Sequence, residues 1–227
     1  MLESSDPQPV IRPFDYDRSI IGALRQEHKL LRFESSRLVD VGTGTAQLLI
    51  RLAEDPRFDS FELIGVDTCS DMLEVANDLI DRAYVSGRIR LDQHDVHDLP
   101  YEDDYCEFVT SQFSVHQWED PVKAFKEIFR VLKPNGVAVI HEPRRDLPLD
   151  KLVALKKKRA RLGIDASPIE SHLTPAEVWD LIEEAGLAPY SIINSPSTSG
   201  SFEVRIANSM AAATKTNHST LRTQERS

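Results

Sequence analysis

With 227 residues, 41% hydrophobic and 28% charged, the chain has the composition of one globular domain with a sizeable core and a short tail. No apolar run approaches the roughly 20 residues needed to cross a bilayer, and Met1-Leu2-Glu3-Ser4-Ser5-Asp6 lacks the basic start and hydrophobic stretch of a secretory signal. A formal net charge of -10 argues against nucleic acid as a partner, and the two cysteines, Cys69 and Cys106, form neither a metal-type pair nor a disulfide framework, which points to a reducing, cytoplasmic setting.

Residues 1–14 contain Pro7, Pro9 and Pro13 and read as a flexible arm. From Tyr16 to Leu31, Ile20, Ile21, Leu24, His28 and Leu31 recur at the spacing of an amphipathic helix. Strands and helices then alternate. Leu38–Val41 is a short buried-type strand that stops at Gly42, Ala46–Ala53 a helix, and Phe61–Val66 a second apolar strand. Ser70 or Asp71 is placed to cap the next helix, which carries Met72, Leu73, Ala76 and Ile80. Arg88–Leu91 and Phe108–Ser111 suggest strands three and four. Asp120-Pro121 opens a helix, because Asp accepts a free backbone N–H and Pro has none to leave unpaired. That helix carries Val122, Phe125, Ile128, Phe129 and Leu132 and is expected to end at Pro134-Asn135-Gly136. Val137–Ile140 is a fifth strand, and Thr174-Pro175-Ala176-Glu177 is a capping box for a helix that ends at Gly186. Tyr190–Ile193 and Phe202–Ile206 close the series as a pair of strands joined by turn-forming residues.

This order predicts an α/β fold, a mostly parallel seven-stranded sheet covered on both faces and finished by an antiparallel C-terminal hairpin strand. A single domain over residues 15–208 is expected, with 143–173 as its substrate cover and 209–227 as a disordered tail. One local exception to the acidic balance is the run from Arg144 to Arg161, with Arg145, Lys151, Lys156, Lys157, Lys158 and Arg159 between them. It reads either as a solvated helix face or as a docking surface for an anionic substrate.

The chemistry concentrates in Val39-Asp40-Val41-Gly42-Thr43-Gly44-Thr45-Ala46. Glycines directly after a first strand let the backbone turn sharply and approach a ligand that a side chain would push away. Asp67 ends the second strand, where a carboxylate suits both hydroxyls of a ribose, with a cap for the following helix as the lesser alternative.

From here the chain resembles the class I S-adenosylmethionine-dependent methyltransferases of the small-molecule type over roughly residues 37–208. The glycine turn is similar to their first motif, which implies Asp40 near the methionine amino group and Asp67 at the ribose. Asp95-Val96-His97-Asp98-Leu99-Pro100-Tyr101 is similar to their Asp-Ala-x-x-Leu-Pro-Phe segment, which makes Asp95 the adenine contact. Glu127-Ile128-Phe129-Arg130-Val131-Leu132-Lys133-Pro134-Asn135-Gly136 is close to their Glu-x-x-Arg-Val-Leu-Lys-Pro-Gly-Gly. The resemblance implies a Rossmann-like doubly wound fold and S-adenosyl-L-methionine as cofactor, with S-adenosyl-L-homocysteine as product. The cofactor contacts would come from Asp40, Gly42, Thr43, Gly44, Asp67, Thr68, Met72, Asp95, Val96 and Ser111. Departures are Ala46 for a third glycine, Asn135 for the first glycine after Lys-Pro, and Gln117 for the second member of a frequent His-His pair.

An activated methyl donor needs mainly an aligned acceptor and a dry site, with a general base where the acceptor is a hydroxyl. His116 follows the fourth strand and is the first candidate base, with a packing role as the alternative. His141 and Glu142 at the end of the fifth strand come next, as pocket groups or as a hydrogen-bonded strand-end pair. Trp118 reads as a substrate-stacking ring or a buried anchor. No metal site is expected. The partner implied is a small molecule, anionic in one reading and quinone-like or phenolic in another, with neither nucleic acid nor membrane. A nicotinamide-dependent oxidoreductase would carry a catalytic Tyr-x-x-x-Lys, which is absent. A protein that keeps the cofactor pocket without methyl transfer, such as a pericyclase, decarboxylase, sensor or non-catalytic subunit, is the remaining alternative.

Overall fold

The computed structural model describes residues 16–31, 36–161, 168–196 and 200–209. The expected arm at 1–14 and the expected tail, Ser209 apart, lie outside these residues. In chain order the elements are α1 Tyr16–Leu31, β1 Ser36–Val41, α2 Gln47–Ala53, β2 Phe61–Asp67, α3 Ser70–Arg82, β3 Ile89–Gln93 and β4 Cys106–Gln112. There follow α4 Pro121–Val131, β5 Leu132–Pro143, α5 Leu149–Arg161, α6 Pro175–Glu184, β6 Ser191–Asn194 and β7 Ser201–Ala207.

The strands form one sheet in the order β3-β2-β1-β4-β5-β7-β6. The first five are parallel, and β7 runs antiparallel between β5 and β6. The chain winds outward from β1 to β3, then crosses back to β4. The strand order therefore reverses between β1 and β4, where a crevice opens at the carboxyl ends.

Side-chain alternation along the buried strands builds two cores. Val39, Val41, Val109, Ala138 and Ile140 pack with Phe125 and Ile128 of α4 and Val178 and Ile182 of α6. Leu38, Phe108, Val137 and Val139 face the other way, onto Ile20 and Leu24 of α1, Leu49 and Leu52 of α2, and Ala76 and Ile80 of α3. This is the doubly wound, Rossmann-like arrangement that the strand order predicts.

Local signals held at several boundaries. Asp120 caps α4 by accepting the Lys123 N–H at 3.0 Å, and Thr174 and Glu177 exchange both bonds of the capping box, at 3.2 and 2.8 Å. Two expectations need correction. Neither Ser70 nor Asp71 caps α3: they are its first two residues, and Cys69 stands at the cap with no side-chain bond. The carboxylate that arranges this turn is Asp67, whose Oδ1 accepts the Cys69 N–H at 2.9 Å. The helix α4 also stops at Val131 rather than at Pro134-Asn135-Gly136. Leu132 already pairs with Cys106 in the sheet, and the Pro-Asn-Gly turn sits inside the β5 span, with Asn135 in the left-handed region at φ 68°. Asn208 pins that turn: its backbone bonds Asn135 and Gly136, and its side-chain amide donates to the Leu132 carbonyl.

Candidate active site

The crevice at the β1–β4 reversal is lined first by the glycine turn. Gly42 and Gly44 take φ of 67° and 53°, and the N–H groups of Gly42 and Thr43 both donate to the Val66 carbonyl, at 2.8 and 3.0 Å. A Cβ on Gly42 would lie 2.7 Å from Ser114 Oγ, so the loop after β4 closes directly over the turn. Ala46, in place of a third glycine, also adopts the left-handed region at φ 57° and is fully buried. The small side chain is accommodated at the cost of backbone strain, roughly 1–2 kcal/mol.

Asp67 sits against this turn, with Oδ2 accepting the Gly44 N–H at 2.8 Å. The exit of β3 lies alongside, because the His94 N–H donates to the Asp67 carbonyl at 3.2 Å. Asp95 follows, half-exposed, accepting the His97 N–H at 2.9 Å and the His97 ring N–H. The His97 tautomer follows from its other side, where Nε2 accepts the Asp120 N–H at 3.0 Å. Burial pushes the Asp95 carboxyl up, but the His97 hydrogen bonds outweigh it and leave the group below its ordinary range. Thr68 is exposed, Met72 is 40% exposed with its methyl end beside Gly44, and Val96 is buried.

Asp40 is buried, with Oδ2 accepting from Thr43 Oγ at 2.8 Å and Oδ1 from Thr110 Oγ at 2.7 Å. Thr110 is a partner that no local pattern in the sequence indicates; the β1–β4 register places it opposite Asp40. Ser111, fully buried, shares a 2.5 Å hydrogen bond with Ser114. The expected cofactor residues thus assemble along the ends of β1, β2, β3 and β4. Their chemistry fits S-adenosylmethionine: a carboxylate at the β2 end for a diol, a second beside it for an exocyclic amine, and an exposed apolar methionine for the base.

The two histidines do not share a site. Strand alternation sends His141 and Glu142 to opposite faces, so the expected strand-end pair between them does not form. Glu142, fully buried, bonds the Nδ1 of His116 and accepts the Val115 N–H at 3.2 Å. Burial pushes its carboxyl above the ordinary range, and the bonds from His116 and Val115 oppose this in part. The His172 ring lies edge-on to His116 with centroids 5.0 Å apart. On the other face, His141 Nε2 bonds Glu203 at 2.9 Å, and Arg205 links Glu203 to Glu27 of α1. His141 Nδ1 is buried with no partner among the described residues. Trp118 packs edge-on against Phe125, the anchoring alternative.

Within the basic run, Arg144 is held by Asp146 and Ser195, and Arg145 by Glu177 and the His172 carbonyl. Lys151 and Lys157 are exposed on α5; the side chains of Lys156, Lys158, Arg159 and Arg161 lie outside the described residues. An isolated bridge between Arg144 and Leu173 joins the two ends of the expected cover. Among the described residues, no helix is long and apolar enough to cross a membrane.

Residues 39–140 match the family described as a methyltransferase domain. The chain is 31% identical over 108 residues to the ubiquinone/menaquinone biosynthesis C-methyltransferase UbiE of Geotalea daltonii, covering 48% of this chain and 46% of that one. It is 38% identical over 109 residues to the demethylmenaquinone methyltransferase of Staphylococcus carnosus, covering 48% and 44%. The chain therefore spans less than half the length of these curated relatives. A solved SAM-dependent methyltransferase from Aquifex aeolicus shares the fold with a TM-score of 0.60 at 19% identity, over 86% of this chain and 99% of that one. The glycine turn and the strand-end acids Asp40, Asp67 and Asp95 all lie within the residues that match this methyltransferase domain.

Proposed function

We propose that this protein is an enzyme that transfers the methyl group of S-adenosylmethionine to a small-molecule acceptor, acting as a single domain over residues 15–208 in the cytoplasm. The observation that carries the reading is the meeting of the glycine turn with Asp67, whose carboxylate contacts the Gly44 backbone across 2.8 Å. Asp67 would take the ribose hydroxyls, Asp95 and Val96 the adenine, and Asp40, Thr43 and Ser111 the methionine end. Gly42 and Gly44 let the backbone approach, and Thr68 and Met72 flank the adenosine. When bound, the cofactor supplies a methyl group already activated by its sulfonium. The chain itself aligns the acceptor, removes water and receives a proton.

His116 would be that proton acceptor, supported by the bond of its Nδ1 to Glu142. His141 is the second candidate, on the α1 face, where its buried Nδ1 suits a polar group of the acceptor. The cover at 143–173 shapes the acceptor pocket, and its exposed lysines favour an anionic one. The names of the relatives add a quinone-type ring to the acceptor classes. A net charge of -10 argues against nucleic acid.

Calorimetric titration with S-adenosylmethionine and, separately, NADH is the test. Micromolar binding of the first alone is expected, weakened at least tenfold in Asp67→Ala, which corresponds to about 1.4 kcal/mol. Release of S-adenosylhomocysteine is then measured with demethylmenaquinol, catechols and carboxylated phenols. Binding of NADH in its place, or of neither, overturns the assignment; binding without turnover of any acceptor favours a non-transferring cofactor protein.

A further inference from the structure

We infer that Glu142 is a positioning residue that fixes the tautomer of His116, and that the acceptor is a hydroxyl compound arriving with its proton on. This rests on the methyl-transfer reading above. The geometry begins with strand alternation, which turns Glu142 toward α4 and α6 and buries it completely. There its carboxylate faces donors only: Nδ1 of His116, the Val115 N–H at 3.2 Å, and the His116 N–H. The two backbone N–H donors, from Val115 and His116, favour the ionised carboxyl against its burial, and in that form it has no proton to give, so Nδ1 of His116 carries the hydrogen and Nε2 the lone pair. The neighbour of Nε2 agrees, because the Gln117 amide nitrogen, a donor, lies 3.5 Å away. An acceptor hydroxyl entering at that position meets a lone pair in the place of the amide.

The cover contributes the opposite wall. His172, at the base of the segment that leaves at Arg144 and returns at Leu173, lies edge-on to His116, and Arg145 holds its carbonyl. Among the contacts described, the His116 ring meets Glu142 from β5, His172 from the cover and Gln117 from its own turn. The positive charge that the imidazole gains is answered by the Glu142 carboxylate bonded to its Nδ1. In the transfer step, the acceptor oxygen forms its bond to the methyl carbon while the carbon–sulfur bond breaks and its electron pair returns to sulfur. The hydroxyl proton passes to His116 Nε2 and from there to water. A free amine or a thiolate brings its own lone pair and has less use for such a base.

The test is long-range proton–nitrogen NMR on full-length protein labelled with nitrogen-15 histidine, which reads the tautomer without any acceptor. Wild type is expected to show His116 protonated on Nδ1. Glu142→Gln keeps the shape and an acceptor oxygen for the Val115 N–H, but presents an amide N–H to the ring, so the proton is expected to move to Nε2. S-adenosylmethionine affinity is expected to stay within twofold in this variant, while turnover of the best hydroxyl acceptor from the panel falls about a hundredfold with little change in KM. Protonation of wild-type His116 on Nε2, or an unmoved proton in a folded Glu142→Gln, overturns the proposal. A panel in which amines turn over and hydroxyls do not overturns the acceptor class alone. Loss of cofactor binding by wild type would instead defeat the methyl-transfer reading and leave the tautomer result standing.

Discussion

At Gly42 two constraints coincide: a left-handed backbone, and Ser114 where a side chain would go. Gly42→Ala is expected to lose about 1–2 kcal/mol from the backbone alone, with the contact at 2.7 Å adding to it. Urea unfolding of the variant checks this, and unchanged stability would mean that the loop after β4 gives way freely. The residues legible in the sequence were those whose meaning is local. Gly42, Asp67 and Asp95 each sit at a strand end and act on backbone within a few residues or on the adjoining loop. His116 was legible as a candidate, but its partner Glu142 lies 26 residues on and becomes visible only when strand alternation is known. His172 carried no signal at all, since a histidine beside a capping box has no pattern of its own.

Among the elements, α1 shows how a helix at the start of the chain is tied down. Ile20, Ala23 and Leu24 are buried on the sheet, Glu27 bonds Arg205 of β7, and Arg25 bonds Asp55 after α2. The Arg57 guanidinium, with Arg25 behind it, holds the Asp55 carboxyl well below the usual range against an opposing push from burial. A carboxyl depressed by folding adds stability that is complete above its unfolded value, about 4, and is lost as pH falls through the folded one. Wild type is therefore expected to lose stability more steeply than Asp55→Asn between about pH 5 and 2, with the two converging in acid. Parallel profiles in a denaturant series would show that this pairing contributes nothing. The amphipathic period of α1 was plain in the sequence. The end of α4 was not, because Leu132 suits either the helix face or the strand, and only its pairing with Cys106 decides.

For the molecule as a whole, stability rests on two apolar layers pressed onto one sheet. Phe125 is fully buried in the α4 layer and packs on Trp118. Phe125→Ala is expected to cost about 3–5 kcal/mol, a large share of the roughly 5–15 kcal/mol that a domain possesses. Tyr84, 94% exposed, is the control, and its alanine variant is expected within about 0.5 kcal/mol of wild type. Equal effects in thermal unfolding would contradict this layering. The alternation of strands and helices was enough to foresee a parallel sheet with an antiparallel end. It was not enough to place β7 between β5 and β6, because a hairpin signal names the strands that pair and not the edge on which they land.

The bridge between Arg144 and Leu173 makes the intervening stretch an excursion that departs and rejoins at one point. Closing such a loop grows costlier only slowly with size, by about 0.6 kcal/mol for each doubling. The length of the stretch between the two ends can therefore vary at little cost to the sheet, and to the acids proposed to hold the adenosine. On the proposed reading, a change in that stretch alters which molecule receives the methyl group while the donor site keeps its form.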